Sequence, residues 1–323
     1  MLNRRQLLFV GSALGVLSSV KFAKAETIVR VAALKLGTVS WELDTIIHHG
    51  FDKKHGITLS VIPVAGKQSA DVMLAGGEAD VIVTDWLWVS RQRSQGADYT
   101  FFPFSRQVGS ILVQADSPVK TLSDLKGKKI GVAGGPTDKS WILLCALAKK
   151  ELDLDLSKDA EPVFAAPLLL NEQFQTNSID ALVTFWNYAA ILKSTGAREI
   201  VSVADAAHSL GLDAETPLLG YVFSQNWSKT HENAAAKLAA ASLEAKALLS
   251  SDDEEWQRLR PLMNVKSDRE FNALKEGFRA GIPEPKSIDR AAALRLYALL
   301  TAFGGRNLVG DTAILAEGTF ADD

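Results

Sequence analysis

Two segments of the chain follow the same order of residue types, and this repetition constrains the fold more than any other feature. The segments read LAGGEADVIVTDW (74–86) and QTNSIDALVTFWN (175–187). In each, a helical pattern ends in turn residues, and an aspartate, a short apolar run, a threonine and a tryptophan follow. The likeness is too short to prove a duplication, but it favours two similar α/β lobes.

The segments around this repeat alternate between short β-rich runs and longer helical patterns, which is typical of α/β folds. Strands are predicted at 27–34, 57–64, 79–85, 110–118, 128–134, 160–167, 179–185, 197–203 and 218–224. Helices are predicted at 40–56, 67–77, 86–96, 121–127, 138–152, 168–178 and 186–196, then at 228–250, 252–262, 267–279 and 287–303. We expect the last four helices to pack as a layer on the first lobe.

Length and composition fit a globular protein of two lobes and exclude some classes of partner. The chain has 323 residues, of which 47% are hydrophobic and 23% charged. Its formal net charge of −3 provides no basic stripe, so no nucleic-acid partner is expected. Cys145 is the single cysteine, which makes an intramolecular disulfide impossible and suggests a buried helix position.

The first 25 residues are typical of an export signal. Arg4 and Arg5 precede the short apolar stretch 7–20, and Ala23-Lys24-Ala25 forms a small-x-small cleavage site. The run Asn3 to Leu8 is similar to a twin-arginine signal. We therefore expect export to the periplasm, and no later segment is apolar enough to predict a membrane span.

Three stretches together resemble a known family. ADSPVKTLSDLKGKKIGVAGG (115–135) comes after GGEADVIV (76–83) and before SIDALVTFWN (178–187). In order and spacing they resemble the extracytoplasmic substrate-binding proteins of ABC importers, in the branch for aliphatic sulfonates, taurine, nitrate and thiamine-pyrimidine precursors.

The resemblance implies an α/β fold of the periplasmic binding protein type 2 class, with two similar lobes and a ligand cleft between them. Two crossing strands would form the hinge, with one lobe at 26–110 plus 218–323 and the other at 111–217. It further implies that the protein captures a small organic ligand by lobe closure and delivers it to an ABC permease. We expect no enzymatic activity and no cofactor, and a monomer is the default for a protein that shuttles between ligand and membrane.

Five loops are the candidate ligand contacts, because in open α/β sheets ligands bind beyond the carboxyl ends of strands, at helix N-termini. The resemblance places the family's motifs on the same loops. The candidate residues are Thr38, Ser40, Trp41, Lys67, Gln68, Ser69, Thr84, Asp85, Trp86, Thr137, Asp138, Lys139, Ser140, Thr184, Trp186 and Asn187.

The residue types in these loops leave the charge of the ligand open. Four of the five loops carry a tryptophan, and indoles offer a flat surface to an aromatic or nitrogenous ligand. We expect Trp86 and Trp186 to close on it from opposite lobes, and Trp88 to lie in the core. Asp85 and Asp138 are either helix N-caps or partners of a cationic ligand.

Basic side chains near the same loops keep an anionic ligand possible. They are Lys35, Lys67, Arg106 and Lys139.

Other functions have less support in the sequence. His48, His49 and His55 do not predict a metal site, because adjacent helical positions point about 100° apart. Two alternatives on the same fold remain: a periplasmic partner or sensor protein without transport, and a pyrimidine-synthase-like enzyme. The resemblance ties the enzyme to intracellular proteins with a cysteine-rich motif, which a single cysteine does not provide.

Overall fold

The computed structural model describes residues 27–284, 288–311 and 313–321, so the predicted export signal lies outside the described residues. The strands are β1 (Thr27–Leu34), β2 (Ile57–Val64), β3 (Val81–Asp85), β4 (Tyr99–Ser105), β5 (Ser110–Val113), β6 (Lys129–Ala133), β7 (Glu161–Ala165), β8 (Ala181–Thr184), β9 (Arg198–Ser202) and β10 (Leu219–Ser224). The helices are α1 (Val39–His48), α2 (Phe51–Lys54), α3 (Lys67–Ala75), α4 (Trp86–Ser94), α5 (Lys139–Leu152), α6 (Leu156–Asp159), α7 (Pro167–Gln175), α8 (Trp186–Ser194), α9 (Val203–Ser209), α10 (Gln225–Thr230), α11 (Ala234–Ser251), α12 (Asp253–Met263), α13 (Asp268–Ala280) and α14 (Arg290–Val309).

These strands form two sheets of the same design. The first has the order β2-β1-β3-β10-β4 and the second β7-β6-β8-β5-β9. In each order the first three strands are parallel, and the fourth strand is antiparallel to both of its neighbours. The predicted α/β fold with two similar lobes is confirmed. Lobe I below means the first sheet with α1–α4 and α10–α14, and lobe II means the second sheet with α5–α9.

The chain passes between the sheets twice, after β4 and before β10. The two crossings contact each other, because Arg106 in the first forms an ion pair with Glu215 in the second. The Arg106 backbone N–H also donates to the Gly281 carbonyl oxygen at 2.9 Å, which ties the first crossing to the end of α13. The strand membership is compatible with the predicted lobe ranges, whose boundary residues remain a prediction.

Several predicted elements differ from the structure for local reasons. The helix predicted over 40–56 is two helices, because Gly50 adopts a left-handed conformation with φ +68° between α1 and α2. The sequence pattern predicts no strand for the aromatic residues of β4, although this segment pairs with β10 along its whole length.

The C-terminal helices do not all pack on lobe I, which corrects the sequence expectation for α14. Helices α11 to α13 enclose the lobe I core, but α14 packs on both α4 of lobe I and α5 of lobe II. Gly304 allows this approach, since a Cβ there would lie 2.8 Å from the Ile142 side chain. The last helix therefore bridges the lobes.

A second bridge between the lobes is formed by α8 and α13. The ring of Trp186 at the start of α8 lies against Gly277, where a Cβ would come within 2.6 Å of the indole. The same ring meets Trp41 of α1 edge to face, with 6.4 Å between ring centroids. The lobes therefore touch through apolar surfaces at two places, beside α13 and beside α14.

The core of lobe I contains a buried ion pair. The Lys246 ammonium lies 2.7 Å from Glu42 Oε2, and both side chains have 5% or less of their surface exposed. Tyr221 and Ser242 donate hydroxyl hydrogen bonds to Glu42 Oε1 at 2.8 and 2.6 Å. Burial lowers the pKa of Lys246, so its charge depends on the carboxylate beside it.

We expect Lys246→Met to lower the free energy of unfolding by about 3–5 kcal/mol, because it leaves the Glu42 carboxylate buried without a cation. Urea unfolding measures this loss. The double variant Glu42→Gln/Lys246→Met should cost less than the single one, since it removes both charges and keeps an acceptor for Tyr221 and Ser242. A double variant that is less stable than the single one would contradict the explanation. Lys149→Met, which breaks an exposed pair with Asp153, is the matched control and should lower the free energy of unfolding far less than Lys246→Met.

We expect Gly277→Ala to separate α8 from α13, because the added methyl group would collide with the Trp186 ring. Alanine by itself stabilises a helix interior by roughly 1 kcal/mol relative to glycine, so a loss of compactness has to come from the lobe contact. Small-angle X-ray scattering should show a larger radius of gyration. Gly277→Ala/Trp186→Phe removes the colliding part of the ring and should restore the original value. Unchanged scattering of the single variant would show that this contact does not hold the lobes.

Candidate functional site

The carboxyl ends of the parallel strands in the two lobes face one another, and an ion cluster lies between them. Asp85 ends β3 of lobe I, and its Oδ2 atom lies 2.7 Å from the Nζ atom of Lys139 at the start of α5 in lobe II. Lys67, the first residue of α3, lies 3.4 Å from the same oxygen. Three predicted site residues are thus brought together, and one of their contacts joins the lobes.

The Asp85 carboxylate is buried, and its charge is stabilised by its neighbours. Burial acts to raise the pKa of Asp85, but the charges of Lys139 and Lys67 and hydrogen bonds from Lys139 and the Trp88 backbone outweigh it. The pKa of this carboxyl is therefore held well below its usual range. Only 4% of Asp85 is exposed, so the carboxylate depends on these partners.

Two further charged groups act on the cluster from lobe I. Asp71 of α3 is half-buried, and burial raises its pKa above the ordinary value. Arg91 of α4 lines the same pocket as Asp85 and both lysines. Three cations and the carboxyl groups of Asp85 and Asp71 therefore share this part of the cleft, and the Asp138 carboxyl acts on Asp85 and Lys139 from lobe II.

Helix N-termini beside the cleft differ in whether a side chain caps them. Asp85 caps α4 by accepting from the Trp88 backbone N–H at 2.9 Å, and Asp138 caps α5 by accepting from Trp141 at 3.1 Å. Burial raises the pKa of the Asp138 carboxyl. The N-cap function predicted for both aspartates is confirmed.

Four other helices that follow strands have no side-chain cap. They are α1, α3, α7 and α8, whose N-cap residues are Thr38, Gly66, Ala166 and Phe185. In α3 and α8 the first N–H groups carry partial positive charge and are not capped by a side chain. In α1 the N–H groups of Ser40 and Trp41 donate to the Gly37 and Thr38 carbonyl oxygens, and α7 begins with Pro167, which has no N–H. Sequence reasoning missed Gly66, Ala166 and Phe185, although the signal was present: none of the three has a side-chain oxygen to cap a helix.

Two threonines at matching positions of the repeat have buried hydroxyl groups. Thr84 and Thr184 are each 1% exposed. Among the described residues, neither Oγ1 atom has a hydrogen-bond partner. Buried hydroxyl groups normally have a hydrogen-bond partner. Each of these two hydroxyls is therefore free to bond to another group if the cleft rearranges.

The structure corrects the expected role of Trp86. Its side chain has no exposed surface and packs on Tyr297 of α14 and on Phe320. Its indole N–H donates to the Pro217 carbonyl oxygen at 3.0 Å in the second crossing. Trp86 is therefore a core residue near the crossing, because the first turn of α4 directs its ring away from the cleft.

Trp88, which the sequence pattern places in the core, is largely buried but also borders the pocket. It is 8% exposed and stacks on Tyr99, as expected for a core residue, but it also lines the pocket around Asp85. The ring that borders the ion cluster is thus Trp88.

Trp41 and Trp186 contact each other across the lobe boundary. Trp41 is 5% exposed and is packed by Trp256 and Phe278, whereas Trp186 is half-buried. The two rings that meet from opposite lobes are these, and the predicted pair of Trp86 and Trp186 does not form.

The remaining predicted site residues differ in exposure, and of them Thr137 lines the pocket around the cluster. Gln68 and Ser69 are exposed on α3, while Thr137 and Asn187 are half-buried in lobe II. Ser140 is 9% exposed at the start of α5.

In lobe I, the hydroxyl group of the predicted site residue Ser40 has a backbone partner. Ser40 donates its hydroxyl to the Leu34 carbonyl oxygen at 3.1 Å and so fixes the loop before α1. The two basic residues named beside the loops lie apart from the cluster, since Lys35 is exposed and Arg106 pairs with Glu215.

The pocket around the cluster is small. It has a volume of about 90 Å³ and is lined by Lys67, Asp85, Trp88, Arg91, Thr137, Lys139, Asn307 and Leu308. Pockets that bury small organic ligands measure roughly 300–1,000 Å³. Asn307 and Leu308 follow the kink of α14 at Gly305, so the end of this helix covers the pocket.

Features for other chemistry are sparse in the described ranges. No group of three or more His, Cys, Asp or Glu residues there is arranged to hold a metal ion. Burial raises the pKa of the Cys145 thiol to about 12, which makes it a poor nucleophile. Within the same residues, no helix has the length and hydrophobicity to cross a membrane.

Comparisons with known proteins agree with this architecture. A putative aliphatic sulfonates-binding protein of Escherichia coli (strain K12) is 30% identical over 118 residues, which is 35% of each chain, so the match spans about a third of that relative. The structure of the alkanesulfonate-binding protein SsuA from Xanthomonas axonopodis pv. citri bound to MOPS has a TM-score of 0.70 at 18% identity and covers 92% of this chain and 99% of that one. The periplasmic aliphatic sulphonate binding protein SsuA from Escherichia coli has a TM-score of 0.73 at 20% identity and covers 92% of each chain.

The structural likenesses show the shared fold. The model of the family described as NMT1/THI5 like matches residues 46–255, which is more than half of the chain and includes both halves of the internal repeat. The protein therefore belongs to the NMT1/THI5-like family.

Proposed function

We propose that this protein is the periplasmic solute-binding component of an ABC import system and captures a small organic anion by closure of its two lobes. One observation carries the proposal. Cations from both lobes, Lys67 and Lys139, meet at the carboxyl ends of the strands in the cleft. An anion bound there would contact both lobes at once, which is the condition for a ligand to favour the closed arrangement.

The helix termini support an anion over a cation. The uncapped helix α3 begins beside the cleft in lobe I, and the uncapped helix α8 does so in lobe II. Helix N-termini attract anions through free N–H groups and the helix dipole. A cationic ligand would meet the positive ends of both.

Two observations lower the support for the aromatic or nitrogenous ligand that the tryptophans suggested. Trp86 is in the core and has no surface to offer. The Asp85 carboxylate, which a cationic ligand would need, is already engaged by two lysines. The printed names of the relatives, an aliphatic sulfonate-binding and an alkanesulfonate-binding protein, point to sulfonates as the first anions to test.

The transport role and location follow the same relatives. One structural neighbour is described as periplasmic, and the N-terminal sequence is typical of an export signal. An ABC permease would be the partner that receives the ligand. Neither alternative, a partner or sensor protein without transport or a pyrimidine-synthase-like enzyme, has an observation of its own in the cleft.

We expect the chain from Glu26 onward to bind at least one straight-chain alkanesulfonate in isothermal titration calorimetry and to bind alkylamines of the same length more weakly. Lys139→Ala should weaken sulfonate binding by roughly 10- to 100-fold, because it removes a charged hydrogen-bond donor.

Lys149→Ala is the matched control, since Lys149 lies on the same helix and pairs with Asp153 at the surface. It should leave the dissociation constant unchanged. Tighter binding of the amines, or equal losses in both variants, would contradict an anion site at Lys139.

A further inference from the structure

Asp85 uses its two carboxylate oxygens for different purposes. Oδ1 accepts the Trp88 backbone N–H at 2.9 Å and caps α4. Oδ2 receives Lys139 at 2.7 Å and Lys67 at 3.4 Å. The second oxygen therefore sits between the two cations that the proposed anion would contact, with one cation supplied by each lobe.

We propose that Asp85 is a built-in counter-ion: its carboxylate occupies the position of the ligand's anionic group, and a bound anion has to displace it from Lys67 and Lys139. This inference rests on the proposed function of the cleft as an anion site. It makes Asp85 a residue that lowers anion affinity and also holds the lobes together.

The internal repeat shows that the carboxylate is not needed to start the helix. The position that corresponds to Asp85 in lobe II is Phe185, which precedes Trp186 as Asp85 precedes Trp86. Helix α8 begins after Phe185 without any side-chain cap and has the same length as α4. The acid at position 85 therefore adds a charge at a place where the fold accepts a neutral side chain.

The space around the cluster supports displacement as well. The pocket of about 90 Å³ is well below the roughly 300–1,000 Å³ of pockets that bury organic ligands. An incoming anion would then have to push the lobes apart or replace Asp85 at the lysines. The remaining charged or titratable groups facing the cluster are Arg91, Asp71 and Asp138, so neutralising Asp85 leaves three cations and two carboxyl groups.

Asp85→Asn separates the two purposes, because asparagine is also a good N-cap and keeps an acceptor for Trp88. We expect this variant to bind inorganic sulfate and alkanesulfonates about tenfold tighter, or more, since the lysines lose their competing carboxylate. Calorimetry measures the affinity. Small-angle X-ray scattering without added anion should show a larger radius of gyration, because the contact between the lobes loses its charge.

Lys139→Met tests the same contact from lobe II and should also open the lobes, but it should weaken anion binding. Asp252→Asn, which neutralises the N-cap of α12 away from the cleft, is the control and should change neither measurement. Opposite changes of affinity in the two cleft variants identify competition, whereas a purely structural role of Asp85 would weaken binding in both.

Unchanged or weaker anion binding by Asp85→Asn, with a melting temperature close to the original, would overturn the inference. If neither the original protein nor the variant binds any anion, the proposed function fails. Displacement of Asp85 by an anion fails with it, and the scattering result then decides only whether Asp85 holds the lobes together: opening of Asp85→Asn supports this contact, and an unchanged radius of gyration refutes it.

Discussion

Parallel strands bring the starts of the helices that follow them to one edge of a sheet, and the site depends on this constraint in both lobes. In the first sheet, β2, β1 and β3 lead into α3, α1 and α4. In the second, β7, β6 and β8 lead into α7, α5 and α8. Because these two edges face each other, residues distant in sequence, such as Lys67, Asp85 and Lys139, lie within hydrogen-bonding distance.

The sequence predicts this frame well because the frame rests on local patterns. The limits of β1 and β2 agree with the apolar runs at 27–34 and 57–64, and the helices after β3 and β8 begin at the predicted tryptophans. The prediction fails where the outcome depends on distant partners. Trp86 and Trp186 occupy the same position of the repeat, yet one ring is enclosed by α14 and the C-terminal segment while the other reaches α13. Nothing within the repeat itself distinguishes them.

Asp85 combines a role that the sequence predicts, the N-cap, with one that it does not, an ion pair with lysines of both lobes. An N-cap uses one carboxylate oxygen, and the cap direction leaves the second oxygen pointing out of the helix start. In most helices that second oxygen meets water, but here it meets two ammonium groups from helix starts in different lobes. The residue type predicts the cap, whereas the ion cluster requires the packing of both lobes.

Two kinds of contact hold the lobes together, apolar contacts and an ion pair, and only the ion pair can make lobe closure depend on the ligand. Apolar contacts hold the lobes on two sides, at Trp186 against Gly277 and at Ile142 against Gly304, and the ion pair of Asp85 and Lys139 lies between the lobes as well. Apolar contacts favour closure whatever the cleft contains, so on their own they give no selectivity. A buried ion pair behaves differently, because each partner needs the other and either can be replaced by a group of the same charge. Exchange of a ligand's anionic group for the Asp85 carboxylate would keep both lysines paired throughout, and closure would then depend on the identity of the anion as well as on the contact area.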